Sequence, residues 1–193
     1  MRTRTTKWLL AVLPLLAVPA PTLASDGGHG AFLDVYKVLL SPRCMNCHPA
    51  GDAPLQGDDS HRHAFRVLRG EDGNGVTSMR CSNCHQAANQ AGEQLPPGTP
   101  DPKADNSPRW HLPSARTPMV FEGRTPVQLC RQLLNKTKNG GLTREGLVHH
   151  VETDGFVLWA WQPGEGRSMP PLTHAEFVAQ FRIWIEAGAA CPN

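Results

Sequence analysis

Two short segments of the sequence repeat the same arrangement of cysteine and histidine. Cys44-Met45-Asn46-Cys47-His48 and Cys81-Ser82-Asn83-Cys84-His85 both have the form C-x-x-C-H. This spacing is typical of covalent haem attachment. Each thiol adds to one haem vinyl group to form a thioether, and two intervening residues let one turn of chain reach both vinyl groups. The adjacent histidine then lies beneath the ring as the proximal iron ligand.

Other uses of paired cysteines fit the sequence less well. Zinc sites with two C-x-x-C pairs usually have about 15–20 residues between the pairs, whereas 33 residues separate Cys47 from Cys81. A disulfide framework leaves the adjacent histidines unexplained, and a thioredoxin-like site needs a βαβ context that is absent. We therefore expect two haem c groups, attached and proximally ligated by six residues: Cys44, Cys47, His48, Cys81, Cys84 and His85.

The sixth ligand of each iron decides the function, because a six-coordinate haem transfers electrons and an open haem binds or activates small ligands. His61 and His63 lie between the two motifs, and we expect one of them to bind iron. His111 lies in a stiff, proline-rich stretch that suits presentation of a ligand over a haem face. Met119 and Met169, each beside a proline, are the methionine alternatives.

Further polar side chains are interpreted from their surroundings in the sequence. His150 and His174 fall on predicted helices, where a histidine is more often a surface or packing residue. Four arginines near the second motif are candidate partners for haem propionates, because the guanidinium fork matches a carboxylate: Arg62, Arg66, Arg69 and Arg80.

The first 24 residues have the features of a secretory signal peptide. Arg2, Arg4 and Lys7 precede an apolar stretch from Trp8 to Val18, and Thr22-Leu23-Ala24 offers a small-residue cleavage site. The apolar stretch is too short and too proline-rich to cross about 30 Å of hydrocarbon. We expect export to the bacterial periplasm and a mature chain that has no transmembrane span.

Cys130 and Cys191 are the two cysteines outside the motifs. An exported compartment permits disulfides, and we predict that this pair forms one. The bridge would tie the C-terminus to the rest of the domain.

Composition fits one loop-rich folded domain. The sequence has 193 residues, of which 39% are apolar and 19% charged, with 18 Gly and 18 Pro. A formal charge of only +2 argues against a nucleic-acid partner. Loss of Arg2, Arg4 and Lys7 takes the basic residues from 19 to 16 against 17 acidic ones, so the mature charge is −1. Aromatic residues are few, and we expect the two macrocycles to form the centre of the core.

Helix patterns and helix caps predict a mostly α fold class, with short helices packed around two covalent haems. Capping boxes begin at Thr125 and Thr173, and no run of alternating strands is found. The predicted helices span residues 31–40, 60–68, 126–138, 144–152 and 174–187.

The mature domain, residues 25–193, divides into three parts. Residues 25–91 form the haem attachment region, residues 92–124 a proline-rich wrapping loop, and residues 125–193 a helical C-terminal part. Seven prolines between residues 92 and 118 exclude a helix or central strand there. A long ordered loop in a small domain is usually functional.

Several short segments across most of the mature chain carry a family resemblance: Ser41-Pro42-Arg43-Cys44, His48-Pro49-Ala50-Gly51, Gln56 to His63, Trp110-His111-Leu112-Pro113, Phe121-Glu122-Gly123, Asn139-Gly140-Gly141 and Gly188 to Pro192. With these segments the sequence resembles small exported dihaem cytochromes c, and in particular the cytochrome subunits that accompany isoquinoline 1-oxidoreductase-type molybdenum hydroxylases.

A second, looser similarity rests on His61 and His63 and on the Asp72-Gly73 turn, which precede the second motif. This order is similar to that of the dihaem subunit of periplasmic nitrate reductase, and the similarity favours bis-His ligation.

Together these features predict a periplasmic electron-transfer protein rather than an enzyme. Its expected partner is a redox protein: a molybdenum hydroxylase-type enzyme, an oxidase or a membrane quinol oxidase. The alternative is a dihaem enzyme with one open haem, of peroxidase-like or small-ligand-reducing type. Known dihaem peroxidases are much longer and have their motifs far apart.

Overall fold

The computed structural model describes residues 23–98 and 110–193. Residues 1–22 of the predicted signal peptide, and residues 99–109 of the predicted wrapping loop, lie outside the described residues. No helix of the described part is long and apolar enough to cross a bilayer.

The described residues form a mostly α structure with long loops. The six helices are α1 Leu23–Leu39, α2 Pro42–Met45, α3 Pro126–Leu134, α4 Arg144–Thr153, α5 Gly155–Trp159 and α6 His174–Glu186. The four short strands form two antiparallel hairpins, β1 Leu55–Gln56 with β2 His61–Arg62 and β3 Gly75–Val76 with β4 Met79–Arg80. A single 3₁₀ turn, Cys81–Asn83, follows β4 directly.

The caps of the C-terminal helices are confirmed. The Thr125 and Thr173 hydroxyls each accept a hydrogen bond from the backbone N–H three residues on, and the Gln128 and Glu176 side chains complete both capping boxes. Predicted helix 126–138 ends earlier, at Leu134.

A turn organised by one buried amide explains why α3 ends early. The Asn139 side chain donates to the carbonyls of Leu133 and Leu142 and accepts from the N–H groups of Gly141 and Leu142. These bonds stabilise the non-helical path between α3 and α4.

The predicted helix over residues 60–68 is wrong. Ser60 has a φ of 54° and closes the β1–β2 hairpin, in which Gln56 pairs with His61. The turn residues before Ser60 favour this hairpin, and its strand pairing replaces the predicted helical bonds.

The predicted start of the first helix is also wrong, because α1 begins at Leu23 and not at residue 31. Its glycines argue against helix by propensity. However, a Cβ atom on Gly28 would lie 2.8 Å from the Cβ of Ala187. The glycine therefore lets α1 approach the end of α6, and this packing outweighs the low propensity.

The core lies between α1 and α6, with α3 and α4 against them. Phe32 of α1 packs on Trp184 of α6, with 4.8 Å between ring centres, and both side chains are fully buried. Trp184 donates its indole N–H to the carbonyl of Ala190. The predicted disulfide between Cys130 and Cys191 is confirmed and fastens the segment after α6 to α3.

Candidate haem sites

Two cavities among the described residues are each lined by both cysteines and the histidine of one C-x-x-C-H motif. The Cys44 cavity has a volume of about 400 Å³ and includes Cys44, Cys47 and His48 in its wall. The Cys81 cavity has a volume of about 280 Å³ and includes Cys81, Cys84 and His85. Such volumes are near the lower end of the range for cofactor pockets.

The first motif begins on α2, a single turn that starts with Pro42. The chain continues this turn beyond the helix, since Cys47 N–H donates to the Cys44 carbonyl and His48 N–H to the Met45 carbonyl. Residues three apart on such a turn lie on one side. Both thiols therefore line the same cavity.

His48 is held with one ring nitrogen available for a metal. Its Nδ1 lies 2.7 Å from the carbonyl of Met119, so Nδ1 carries the proton and donates it. The ring stacks on Phe121 with 3.9 Å between centres. Burial lowers the pKa of His48 to about 4, against the opposing effect of the Met119 carbonyl and with smaller contributions from the charges of His150 and Arg69. A neutral imidazole with Nε2 unprotonated is the form that binds metal.

The second motif also lies on a tight turn, but this turn follows a hairpin and not a helix. The β3–β4 hairpin leads into the 3₁₀ turn, where Cys84 and His85 N–H groups both donate to the Cys81 carbonyl. His85 Nδ1 lies 2.8 Å from the carbonyl of Pro97, and burial lowers the pKa of His85 to about 4. The indole of Trp110 stacks on this imidazole, with 4.7 Å between centres and 5° between planes.

His63 faces His85 across the Cys81 cavity. The two ring centres are 6.5 Å apart, and both rings line the cavity. Metal–imidazole bonds of about 2.0–2.1 Å on both sides of one metal ion would place the ring centres about 6.4 Å apart. His63 Nδ1 is buried and has no hydrogen-bond partner among the described residues. The spacing of the two rings is therefore that of two imidazoles that would bind one metal ion from opposite sides.

The other predicted distal ligands occupy different places. His61 contacts the carboxylate of Asp59 at 2.6 Å and lines neither cavity. His111 lines both cavities and packs edge-on against Phe156. Met119 lines the Cys44 cavity, but its carbonyl is the partner of His48 Nδ1. Met169 is 57% exposed and lines neither cavity.

The four motif cysteines are separate thiols, whereas Cys130 and Cys191 are bridged. Burial raises the pKa of Cys44 to about 12 and that of Cys47 to about 11. Burial also raises the pKa of Cys81. Burial therefore favours the neutral thiol at all three positions.

The sequence pattern did not single out Arg43 as a site residue, although Arg43 directly precedes Cys44. It lines both cavities, and only 3% of its side chain is exposed. Its guanidinium contacts Asp58 at 2.6 Å, while its Nε has no hydrogen-bond partner among the described residues. Burial lowers the pKa of Arg43, opposed by the charge of Asp58. The structure therefore places a buried cation between the two cavities.

The predicted arginines divide into two groups. Arg80 lines the Cys81 cavity, as does Arg167, which the sequence did not single out. Arg62 and Arg66 line neither cavity. Arg69 is buried and donates to the carbonyls of Gly51 and Pro113, so it connects two loops and faces neither cavity.

Comparison with protein-family models, with curated proteins and with solved structures gives no match for this chain. Among residues 23–98 and 110–193, no group of three or more His, Cys, Asp and Glu side chains converges as a metal site. Axial ligation of a haem iron requires only two protein ligands.

Proposed function

We propose that this protein is an exported dihaem cytochrome c that transfers electrons. The single observation that carries the proposal is the pair of cavities, each lined by both cysteines and the histidine of its own C-x-x-C-H motif. Each motif would hold one haem c through two thioethers and one imidazole. When bound, such a haem supplies a reversible one-electron change between Fe(III) and Fe(II).

The protein groups around each cavity would hold and insulate the two cofactors. Phe121 and Trp110 cover the faces of His48 and His85, and the Met119 and Pro97 carbonyls fix the orientation of those imidazoles. Such contacts to axial ligands set the basicity of the ligand and exclude solvent. His63 would complete a bis-His site with His85.

Two features support electron exchange between the haems and with a partner. The cavities share Arg43, Cys47 and His111 in their walls, so the two cofactors would be neighbours. Cys84 is exposed, and the exposed side chains of Phe65 and Met79 also line the Cys81 cavity. The Cys81 haem is therefore the proposed point of contact with a redox partner, such as a molybdenum hydroxylase-type enzyme, an oxidase or a membrane quinol oxidase.

Haem counting tests the proposal directly. The chain is expressed with a periplasmic c-type maturation system, and covalent haem is measured per polypeptide by the pyridine haemochrome assay and by protein mass. We expect two haems in the native sequence and one in each double variant, Cys44→Ala/Cys47→Ala or Cys81→Ala/Cys84→Ala. A native chain without covalent haem overturns the proposal.

Spectroscopy of the oxidised protein tests the carrier function. Low-spin signals from both haems are expected for a six-coordinate carrier. A high-spin, five-coordinate signal from one haem, together with peroxide turnover by a reduced donor, would instead assign the protein to the dihaem enzymes.

A further inference from the structure

One face of α4 forms part of the wall of the Cys44 cavity. Leu147, His150, Val151 and Asp154 all line this cavity, at the i, i+3, i+4 and i+7 positions of one helical face. His149, the adjacent histidine, lines neither cavity and contacts Thr153 within α4. The helix therefore directs one histidine, and not its neighbour, toward the cavity that contains His48.

The carboxylate of Asp154 lies beside the imidazole of His150. Its Oδ2 lies 3.5 Å from His150 Nδ1, while its Oδ1 accepts from the N–H groups of Phe156 and Val157 at the start of α5. A carboxylate anchored in this way favours a proton on Nδ1, which leaves Nε2 as the metal-binding nitrogen. The Met119 carbonyl also contacts Nδ1 of His48, at the shorter distance of 2.7 Å.

The other candidates in the Cys44 cavity have different contacts. The Met119 carbonyl contacts His48 Nδ1 and so lies behind the imidazole, on the side away from Nε2. The partly buried Met119 side chain packs against the hydrophobic core. His111 lies in the wall common to both cavities, with its ring packed edge-on against Phe156 at 4.8 Å.

We propose that His150 is the sixth ligand of the iron held by Cys44, Cys47 and His48, and that Asp154 is its positioning residue. The inference rests on the proposed dihaem function and completes it, since both irons then have two imidazole ligands. The group bound by His150 is the haem iron itself, through Nε2.

The test uses the full mature protein with its haems in place, and begins with haem counting on each variant. His150→Ala is expected to retain two covalent haems but to convert one of them, half of the total, from low to high spin in EPR and in the visible spectrum. Added imidazole should restore the low-spin signal. His149→Ala is the matched control, and it should remain fully low-spin.

Two further variants test the same ligand if the His150→Ala protein does not accumulate. His150→Met should give a near-infrared Met-to-iron charge-transfer band and raise the potential of one haem only. Asp154→Asn should remain low-spin but shift the potential of that same haem. Two low-spin haems in His150→Ala, or a high-spin haem in the native protein, would overturn the inference and leave the haem count intact. A native chain without two covalent haems would instead overturn the proposed function.

Discussion

His63 and His85 face each other across one cavity, with their ring centres 6.5 Å apart and their planes tilted by 59°. The proposed bis-His site predicts a specific response to a change of one ligand. In His63→Met, a near-infrared Met-to-iron band should appear, and the potential of the Cys81 haem should rise, because His/Met ligation raises the potential. Optical and electrochemical titration of the purified protein measures both quantities.

The neighbouring histidine provides the control for this change. His61 is about half exposed and paired with Asp59, so His61→Met should leave the spectrum and both potentials as they are in the native protein. The opposite pattern, with a new band in His61→Met only, would assign the ligand to His61 and contradict the geometry described above.

Substitution of Arg43 is expected to change the reduction potentials of both haems, because Arg43 lines both cavities. A buried positive charge stabilises Fe(II) over Fe(III), and its loss also leaves the Asp58 carboxylate unpaired. Arg43→Met should therefore lower both potentials, by an amount on the order of 50–100 mV, since a unit charge about 7–14 Å away at an effective dielectric constant of about 20 contributes about 1–2 kcal/mol.

An exposed cation serves as the control for Arg43. Lys37 is paired with Asp34 at the surface, and 66% of its side chain is exposed, so Lys37→Met should leave both potentials within the error of the titration. A decrease at only one haem in Arg43→Met would show that the guanidinium acts on one cavity alone.

Local signals made the C-terminal helices predictable from sequence. Thr125 and Thr173 each specify a helix start through bonds that span three residues, and such bonds do not depend on the rest of the fold. The hairpin at Ser60 was missed because strand pairing between residues 56 and 61 depends on a turn of positive φ. In that hairpin His61 contacts Asp59, whereas His63 lines the Cys81 cavity. The sequence alone could not distinguish the two histidines in this way.

The proposed role of His150 depends on tertiary structure, which its position on a predicted helix did not show. A signal was nevertheless present, since Leu147 and Val151 share the face of His150 and Asp154 lies four residues after it. An apolar helical face that carries one His–Asp pair is informative only when the surface it packs against is known. Here that surface is the Cys44 cavity.

Removal of the disulfide between Cys130 and Cys191 is expected to lower stability without changing the haem content. The bridge joins residues 61 apart and is distant in sequence from both motifs. Replacement of both Cys130 and Cys191 by Ala should lower the free energy of unfolding by about 2–4 kcal/mol, because the unfolded chain regains the entropy of an open loop. Denaturant titration of the holoprotein measures this, and an unchanged midpoint would contradict it.

A side chain at position 73 is expected to disturb the site of the Cys81 haem. The φ of Gly73 is +86°, its carbonyl accepts from Leu112 N–H, and a Cβ atom there would lie 1.9 Å from the Leu112 carbonyl oxygen. Gly73→Ala must therefore displace the backbone that carries Trp110 and His111 into the site. We expect a loss of stability together with an altered EPR signal from the Cys81 haem, because Trp110 stacks on its proposed ligand His85.

Gly141→Ala is the control that separates the steric overlap at Gly73 from the backbone strain of a positive φ. The φ of Gly141 is +87°, almost equal to that of Gly73, but no atom lies within 4 Å of a Cβ atom at this position. Gly141→Ala should therefore incur only the conformational cost, about 1–2 kcal/mol, with both haem signals unchanged. Gly73→Ala should be less stable than Gly141→Ala by a further ~1–3 kcal/mol from overpacking. Equal losses in the two variants would show that the Gly73–Leu112 contact does not position the Cys81 site.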